Sequence, residues 1–425
     1  MSPLSASSTA QDHQLFSAPL PAHMETSPQV VVDLAGFVSM DAFNRAMQSL
    51  HPPGGKLPAQ ALINLEDTTH ILVECLTALI AEVAQRQRAG LTTTFRLPLS
   101  RAVRGFMRTW GFARAFRNAT GLALMTAVES DSLQRVHAYD EVNKGGSEGR
   151  YGYEKIYETL DGESRVPLDL HRFFGFQYWS QTSAEQEEEA TRFDRLVVEE
   201  CARWTDPVLE RVLYRQLGKY GSYVSTVVHE ALTNAFRHGG ATSILDVSNS
   251  HYSQQRREDK NLTLVFWDNG VASYSTLRSR LDAGETIIAT SFESSPELVF
   301  NIKPFAEGGL PTGATVTSRK VPTADSPDWH VVLSALFPGI SADPAGAQHF
   351  SLASPGTDAC LPGRGLSNLI NSAVDVLGGT VAFRSGEYFM NISSASPETP
   401  LVYAVKITKS WSFFGNMITV RLPLN

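Results

Sequence analysis

The stretch 227-VVHEALTNAFRHGG-240 constrains the fold more than any other part of the chain. Val227, Val228, Ala231, Leu232, Ala235 and Phe236 recur at helical spacing and form a stripe that can pack on a sheet. The helix is expected to begin near Ser222 and to stop at Gly239-Gly240, which suits a C-terminal cap. Glu230, Asn234 and His238 fall four residues apart, so they line one ridge at intervals of roughly 6 Å. Two readings compete for this helix. In one, His229 beside Glu230 accepts a phosphoryl group; in the other, the Glu230, Asn234 and His238 ridge is the working surface. A solvated polar stripe would have the same spacing.

The chemistry of the ridge suits a nucleoside triphosphate. An Asn carbonyl oxygen can ligate a Mg²⁺ that takes its other ligands from phosphates and water. A neighbouring Glu can orient or deprotonate an attacking water. Two later segments fit the same reading. NLTLVFWDNGVAS at 261–273 is expected as a strand running into Asp268-Asn269-Gly270. An Asp there can accept from an adenine amino group, and Gly270 lets the backbone turn beneath the base. In LPGRGLSNLINSAVDVLGGTVAFRSG at 361–386, Gly363 and Gly365 permit close approach to phosphate. A helix starting near Leu366 offers N–H groups to the same anion, and TVAF resumes as a strand.

These segments, in this order, resemble the GHKL superfamily of ATPases, whose members include gyrase, histidine kinases and MutL. HEALTNAFRHGG is similar to its N-box, DNG to its G1 box, GRGLSNL to its G2 box, and GNMITVRLPL to its last glycine-bearing strand. The resemblance spans about residues 192–425 of an expected domain at 191–425. It implies a Bergerat-type α/β sandwich with a mixed sheet that holds ATP and Mg²⁺ under a lid at 271–362. By motif position, Glu230 is the implied general base, Asn234 the Mg²⁺ ligand and Asp268 the adenine-reading acid. Gly270 shapes the base pocket, while Gly363, Arg364, Gly365 and the amide of Leu366 meet the phosphates. His238 either contacts phosphate or stabilises the helix end. The chain departs from the family pattern twice: Ala272 replaces the second glycine of D-x-G-x-G, and Asn416 replaces the threonine after the last-strand glycine.

The N-terminal half alternates strand and helix patterns: VVVDL, DAFNRAMQSL, ALINL, ILVECLTALIAEVAQRQR, LTTTFRL and SRAVRGFMRTWGFARAF. Such alternation indicates a small α/β domain with a largely parallel sheet. Residues 29–124 resemble a STAS-type domain, the fold of anti-sigma-factor antagonists, carried mainly by ALINLEDTTHILVECLTALI. That family places a phosphorylatable Ser or Thr at a helix start, where Thr68 and Thr69 stand; ordinary N-capping is the competing role. Residues 1–28 are expected as a disordered tail and 125–190 as a connecting segment.

Between Arg86 and Arg117 lie eight arginines and no acid, with Arg101, Arg104 and Arg108 at helical spacing. This segment is either a solvated face or a docking surface for an acidic protein or nucleic acid. The net charge of −8 gives no bulk reason to expect nucleic acid or an anionic membrane as the main partner. Three scattered cysteines form neither a disulfide framework nor a metal motif and suit a reducing cytoplasm. No apolar run is long enough to span a membrane.

Three functions follow as expectations. The first is a Mg²⁺-dependent ATPase coupled to a STAS-like regulatory domain in bacterial signalling, stress or defence. The second is an ATP-gated module that changes its affinity for a protein partner with little hydrolysis. The third is a Ser/Thr kinase of the anti-sigma-factor type. Relatives that dimerise on ATP imply a homodimer. A sensor histidine kinase needs a separate phospho-accepting helix pair, and upstream His137 and His171 sit in turn-rich sequence. Between Gly240 and Asp268 no second Glu-x-x-x-Asn helix appears, so His229 is incidental.

Overall fold

The computed structural model describes residues 29–52, 55–143, 174–180, 197–206, 210, 213–214, 217–239, 241–251, 261–289, 292–303, 313–341 and 365–424. The fold is mixed α/β, with one large mixed sheet and two small parallel ones.

In the N-terminal unit, β1 (Val30–Asp33), β3 (Gln60–Asn64) and β5 (Thr92–Arg96) pair in parallel in the order β1-β3-β5. A second parallel pair joins β2 (Gly36–Val38) to β4 (Thr68–Ile71). The Ser39 side chain caps α1 (Met40–Met47) by accepting from the Ala42 N–H. The long α2 (Val73–Arg88) is followed after β5 by α3 (Arg101–Thr109), α4 (Phe112–Thr120) and α5 (Leu133–Asn143). Sequence spacing predicts an ordinary amphipathic α2, yet Glu74, Thr77, Glu82 and Arg86 are buried along with its apolar residues. The cause is tertiary: α2 is wedged between its own unit and strands of the large sheet.

That sheet runs β10-β9-β12-β8-β7-β6, with β11 paired to β12. Its strands are β6 (Phe174–Ser180), β7 (Ser243–His251), β8 (Asn261–Asp268), β9 (Val299–Ile302), β10 (Thr315–Thr317), β11 (Thr380–Ser394) and β12 (Val402–Pro423). All pairings are antiparallel except β9 with β12. The apolar run of β8 is covered on both sides, as expected for a central strand. Leu262, Leu264 and Phe266 join a core with α6 (Tyr223–Gly239), whereas Val265 and Trp267 join a core with α2 and α4.

Two expected boundaries shift. The segment 125–190 contributes α5, which is tied to α3 by Arg104 and Glu141 at 2.5 Å, and β6, which is the sheet edge. Within the expected lid 271–362, the described parts form α7 (Ser273–Asp282), β9, β10 and α8 (Asp328–Ser334). Phe300 and Ile302 of β9 are core residues.

Where the two units meet, several polar groups are buried. Arg384 of β11 is fully buried; it donates to Asn44 Oδ1 of α1 at 2.6 Å and lies over the Trp411 and Phe413 rings. His51 stacks on Trp411 and meets Glu82 of α2 at 3.1 Å, and Arg421 of β12 bonds to Glu74. Among the described residues, no helix is long and apolar enough to cross a membrane.

Candidate functional site

An open cleft lies on the face of the large sheet that packs against α6. Its lining includes Asn234 of α6, Ser273 and Leu277 of α7, Phe337 and Ile340 after α8, and Gly365, Leu366 and Ser367. The last three open α9 (Gly365–Ile370), which widens into π-helical turns over Asn371–Val376.

Glu230 and Asn234 stand on α6 as the four-residue spacing requires, and both are largely buried. The Glu230 carboxylate faces the start of α9. Asn368 Nδ2 donates to its Oε1 at 3.1 Å, and a Cβ added to Gly365 would lie 3.4 Å from Oε2. Residues 138 apart in sequence thus meet beside Gly365, which lines the cleft. His238 closes the same helix, with its side chain outside the described residues, as are Gly363 and Arg364.

Behind Ser273 lies a second cluster. Asp268 ends β8, and its Oδ1 accepts from the Gly270 N–H at 2.9 Å and from Asn416 Nδ2 at 3.2 Å. Asn416 stands opposite Asp268 in the β8–β12 register and opposite Ser385 in the β11–β12 register. Its second amide proton goes to the Val271 carbonyl at 3.1 Å. Its Oδ1 accepts from the Ser273 N–H at 2.9 Å, the Ser273 hydroxyl at 3.2 Å and the Ser385 hydroxyl at 2.9 Å. One buried amide within β12 therefore ties the end of β8 and the interior of β11 to the start of α7. Burial pushes the Asp268 carboxyl up to about 7, against the lowering effect of the Gly270 and Asn416 donors.

Both departures from the family pattern find a local reason. Ala272 has φ −57° and ψ 129°, where a side chain is unstrained, so no glycine is needed. The amide of Asn416 makes bonds in both directions that a hydroxyl could not make together. Gly415, by contrast, has φ +78°, and a Cβ there would come within 1.7 Å of the Asp268 carbonyl oxygen. The glycine is required so that β12 can pass the Asp268 turn.

Several participants escape sequence reasoning. Asn269 Oδ1 accepts from the Thr242 and Ser243 N–H groups at 2.9 and 2.8 Å, and its Nδ2 donates to the Thr242 hydroxyl at 2.9 Å. Its place inside Asp-Asn-Gly is the available signal, since Asn side chains commonly bond backbone in turns. Ser273, Ser385 and Asn368 carry no local signal, because their partners are distant in sequence.

The other expected positions lie away from the cleft. Thr68 and Thr69 are in β4, not at the start of α2, whose cap residue is Leu72. The buried Thr68 hydroxyl donates to the Leu34 carbonyl, whereas Thr69 is exposed. The Arg-rich segment does not form one surface. Arg86 is fully buried and donates to Thr93 and to the Pro58 and Thr92 carbonyls. Arg104 is buried against Glu141, Arg96 pairs with Glu129, Arg114 donates to the Phe176 carbonyl and Arg88 lies over the Phe414 ring. The shared face expected for Arg101, Arg104 and Arg108 is broken, because Arg104 turns inward.

No family model matches the chain, and neither a curated protein nor a solved structure is significantly similar to it.

Proposed function

We propose that the chain binds ATP with Mg²⁺ in the cleft between α6, α7 and α9 and hydrolyses it. On this reading the C-terminal unit is a GHKL-type domain of the Bergerat class and the N-terminal unit a STAS-like regulator. The observation that carries the reading is that Asn234, Gly365 and Leu366 line one cleft, with Oε2 of Glu230, one turn before Asn234 on α6, beside Gly365. Asp268 stands two hydrogen bonds behind its Ser273 wall, with Asn416 between them.

The donor set fits a metal that arrives with a triphosphate. Among the described residues, no group of three His, Cys, Asp or Glu side chains could hold an ion alone. Asn234 offers one amide oxygen, which suffices where phosphates and water complete an octahedral shell. Bound Mg²⁺ would offset the charge of the phosphate oxygens. Glu230 would take the proton of the attacking water through Oε2, the oxygen facing Gly365. Asp268, already hydrogen-bonded on Oδ1, would accept the adenine amino group as a carboxylate. Donation to that carboxylate would draw its raised pKa back down.

Phosphate release measured beside ATP binding tests the proposal. Glu230→Gln should lower turnover about 10²–10⁴-fold with affinity nearly unchanged; full turnover in this variant overturns the assignment.

One observation favours a second reading, ATP-gated interaction with little hydrolysis. Ser385, which bonds Asn416 on the cleft side, adjoins Arg384, which bonds Asn44 of the N-terminal unit. A change at the cleft would reach the interface through adjacent residues of one strand. ATP binding without phosphate release would select this reading. A kinase acting on its own chain would be left with Thr69, given the buried Thr68 hydroxyl.

A further inference from the structure

We infer that Asn368 is the positioning residue for Glu230, an inference that rests on the hydrolytic reading of the cleft. Sequence motifs place Glu230 on a helix but say nothing about which carboxylate oxygen faces the cleft. The amide of Asn368 engages one of the two oxygens. Its Nδ2 donates to Oε1 at 3.1 Å, and Oε2 lies on the side of Gly365, a residue that lines the cleft. The missing side chain at Gly365 matters here, because a Cβ would stand 3.4 Å from Oε2 and cover it.

The arrangement has a further consequence. Asn368 lies one helical turn after Gly365 on α9, so the element that opens at the glycine-rich segment also grips the base. A movement of the start of α9 toward phosphate would carry the amide and the carboxylate together. The direction of the bond is fixed by charge: an amide proton meets a carboxylate oxygen, whereas the flipped amide would set oxygen against oxygen. The hydrogen bond favours the ionised carboxylate, the form a base needs.

The test uses the full-length protein with Mg²⁺ and ATP, comparing wild type with Asn368→Ala, Asn368→Asp and Glu230→Gln. Asn368→Ala should lower kcat by about tenfold or more while the Kd for ATP changes less than about threefold. Asn368→Asp places a second carboxyl beside Glu230, so the acidic limb of the kcat–pH profile should move up by about one unit or more. A purely structural role for Asn368 would not move that limb. Asn368 is only partly buried, and thermal melting of each variant checks that the fold persists. If Glu230→Gln abolishes turnover while both Asn368 variants keep the wild-type kcat and pH profile, the positioning role is overturned and the hydrolytic reading stands. If Glu230→Gln retains wild-type turnover, the hydrolytic reading itself falls, and the role of Asn368 falls with it.

Discussion

The two faces of the large sheet handle polar groups in opposite ways. On the cleft face, Asp268, Asn269 and Asn416 are buried, and each is engaged by two or more hydrogen bonds from turns and strand ends nearby in space. On the face covered by the N-terminal unit, Arg384 and Glu82 are buried more deeply. There Glu82 Oε1, Arg384 Nε and Trp411 Nε1 have no hydrogen-bond partner among the described residues. Burial lowers Arg384 to about 9, although the nearby Glu82 charge opposes that shift. On the cleft face, Asp268, Asn269 and Asn416 hold the turn after β8 and the start of α7 in place. The covered face hides its polar groups in a shared hydrophobic core, where incomplete pairing costs stability but fixes how the two units dock.

The largest effect should follow from removing the glycine that lets the cleft face form. Gly415→Ala puts a Cβ against the Asp268 carbonyl at a φ that alanine disfavours, and the overlap cannot be relieved without moving β12. A loss of at least ~3 kcal/mol in urea unfolding is expected, together with loss of ATP binding. Wild-type stability in this variant would show that the β8–β12 crossing is looser than described.

On the covered face, Arg384→Met keeps much of the side-chain volume and removes the guanidinium. Asn44 Oδ1 and the Trp411 carbonyl then lose a donor, and the rings lose their cation. A cost of about 2–3 kcal/mol is expected, with turnover per folded molecule unchanged. If turnover falls while stability holds, the contrast between the two faces breaks: Arg384 would then belong to the site through Ser385.

What was legible in the sequence follows the same division. The cleft could be read because its residues sit where local geometry forces them, with Glu230 and Asn234 one turn apart on a helix and Gly270 in a turn. The closed side of the fold could not be read, since Asn44 meets Arg384 across 340 positions and Glu74 meets Arg421 across 347. The same blindness produced the errors. Eight arginines looked like a surface because partners such as Glu129, Glu141, the Phe176 carbonyl and the Phe414 ring lie outside the segment. Thr68 and Thr69 looked like a helix start because a four-residue strand cannot be told from a capping turn by composition.

Asn416 offers a smaller, sharper probe of the cleft face. Asn416→Thr restores the residue common in the resembled family, yet a hydroxyl supplies one donor where the amide supplies two. Asp268 Oδ1 or the Val271 carbonyl should lose its bond, costing about 1–2 kcal/mol by denaturant titration and weakening ATP binding. An unchanged Kd and midpoint would mean that the amide hub is dispensable.

The last expected effect is a slope, and its sign is fixed by Asp268. Its folded pKa of about 7 lies above the unfolded value of about 3.9, so the folded state holds a proton that the unfolded state has already released. Stability from this group is therefore fully present below about pH 4 and is lost as pH rises toward 7, after which the contribution is flat. Asp268→Asn keeps an acceptor oxygen for Gly270 and Asn416 but cannot ionise, so it should lack this loss. The stability difference between variant and wild type should then grow by about 1 kcal/mol per pH unit between pH 5 and 6.5. Saturating ATP should shrink that slope in the wild type, because an amino donor stabilises the carboxylate and lowers its pKa. A slope that ATP leaves untouched would place Asp268 on the structural side of the comparison, as a buried acid that shapes a turn and reads no base.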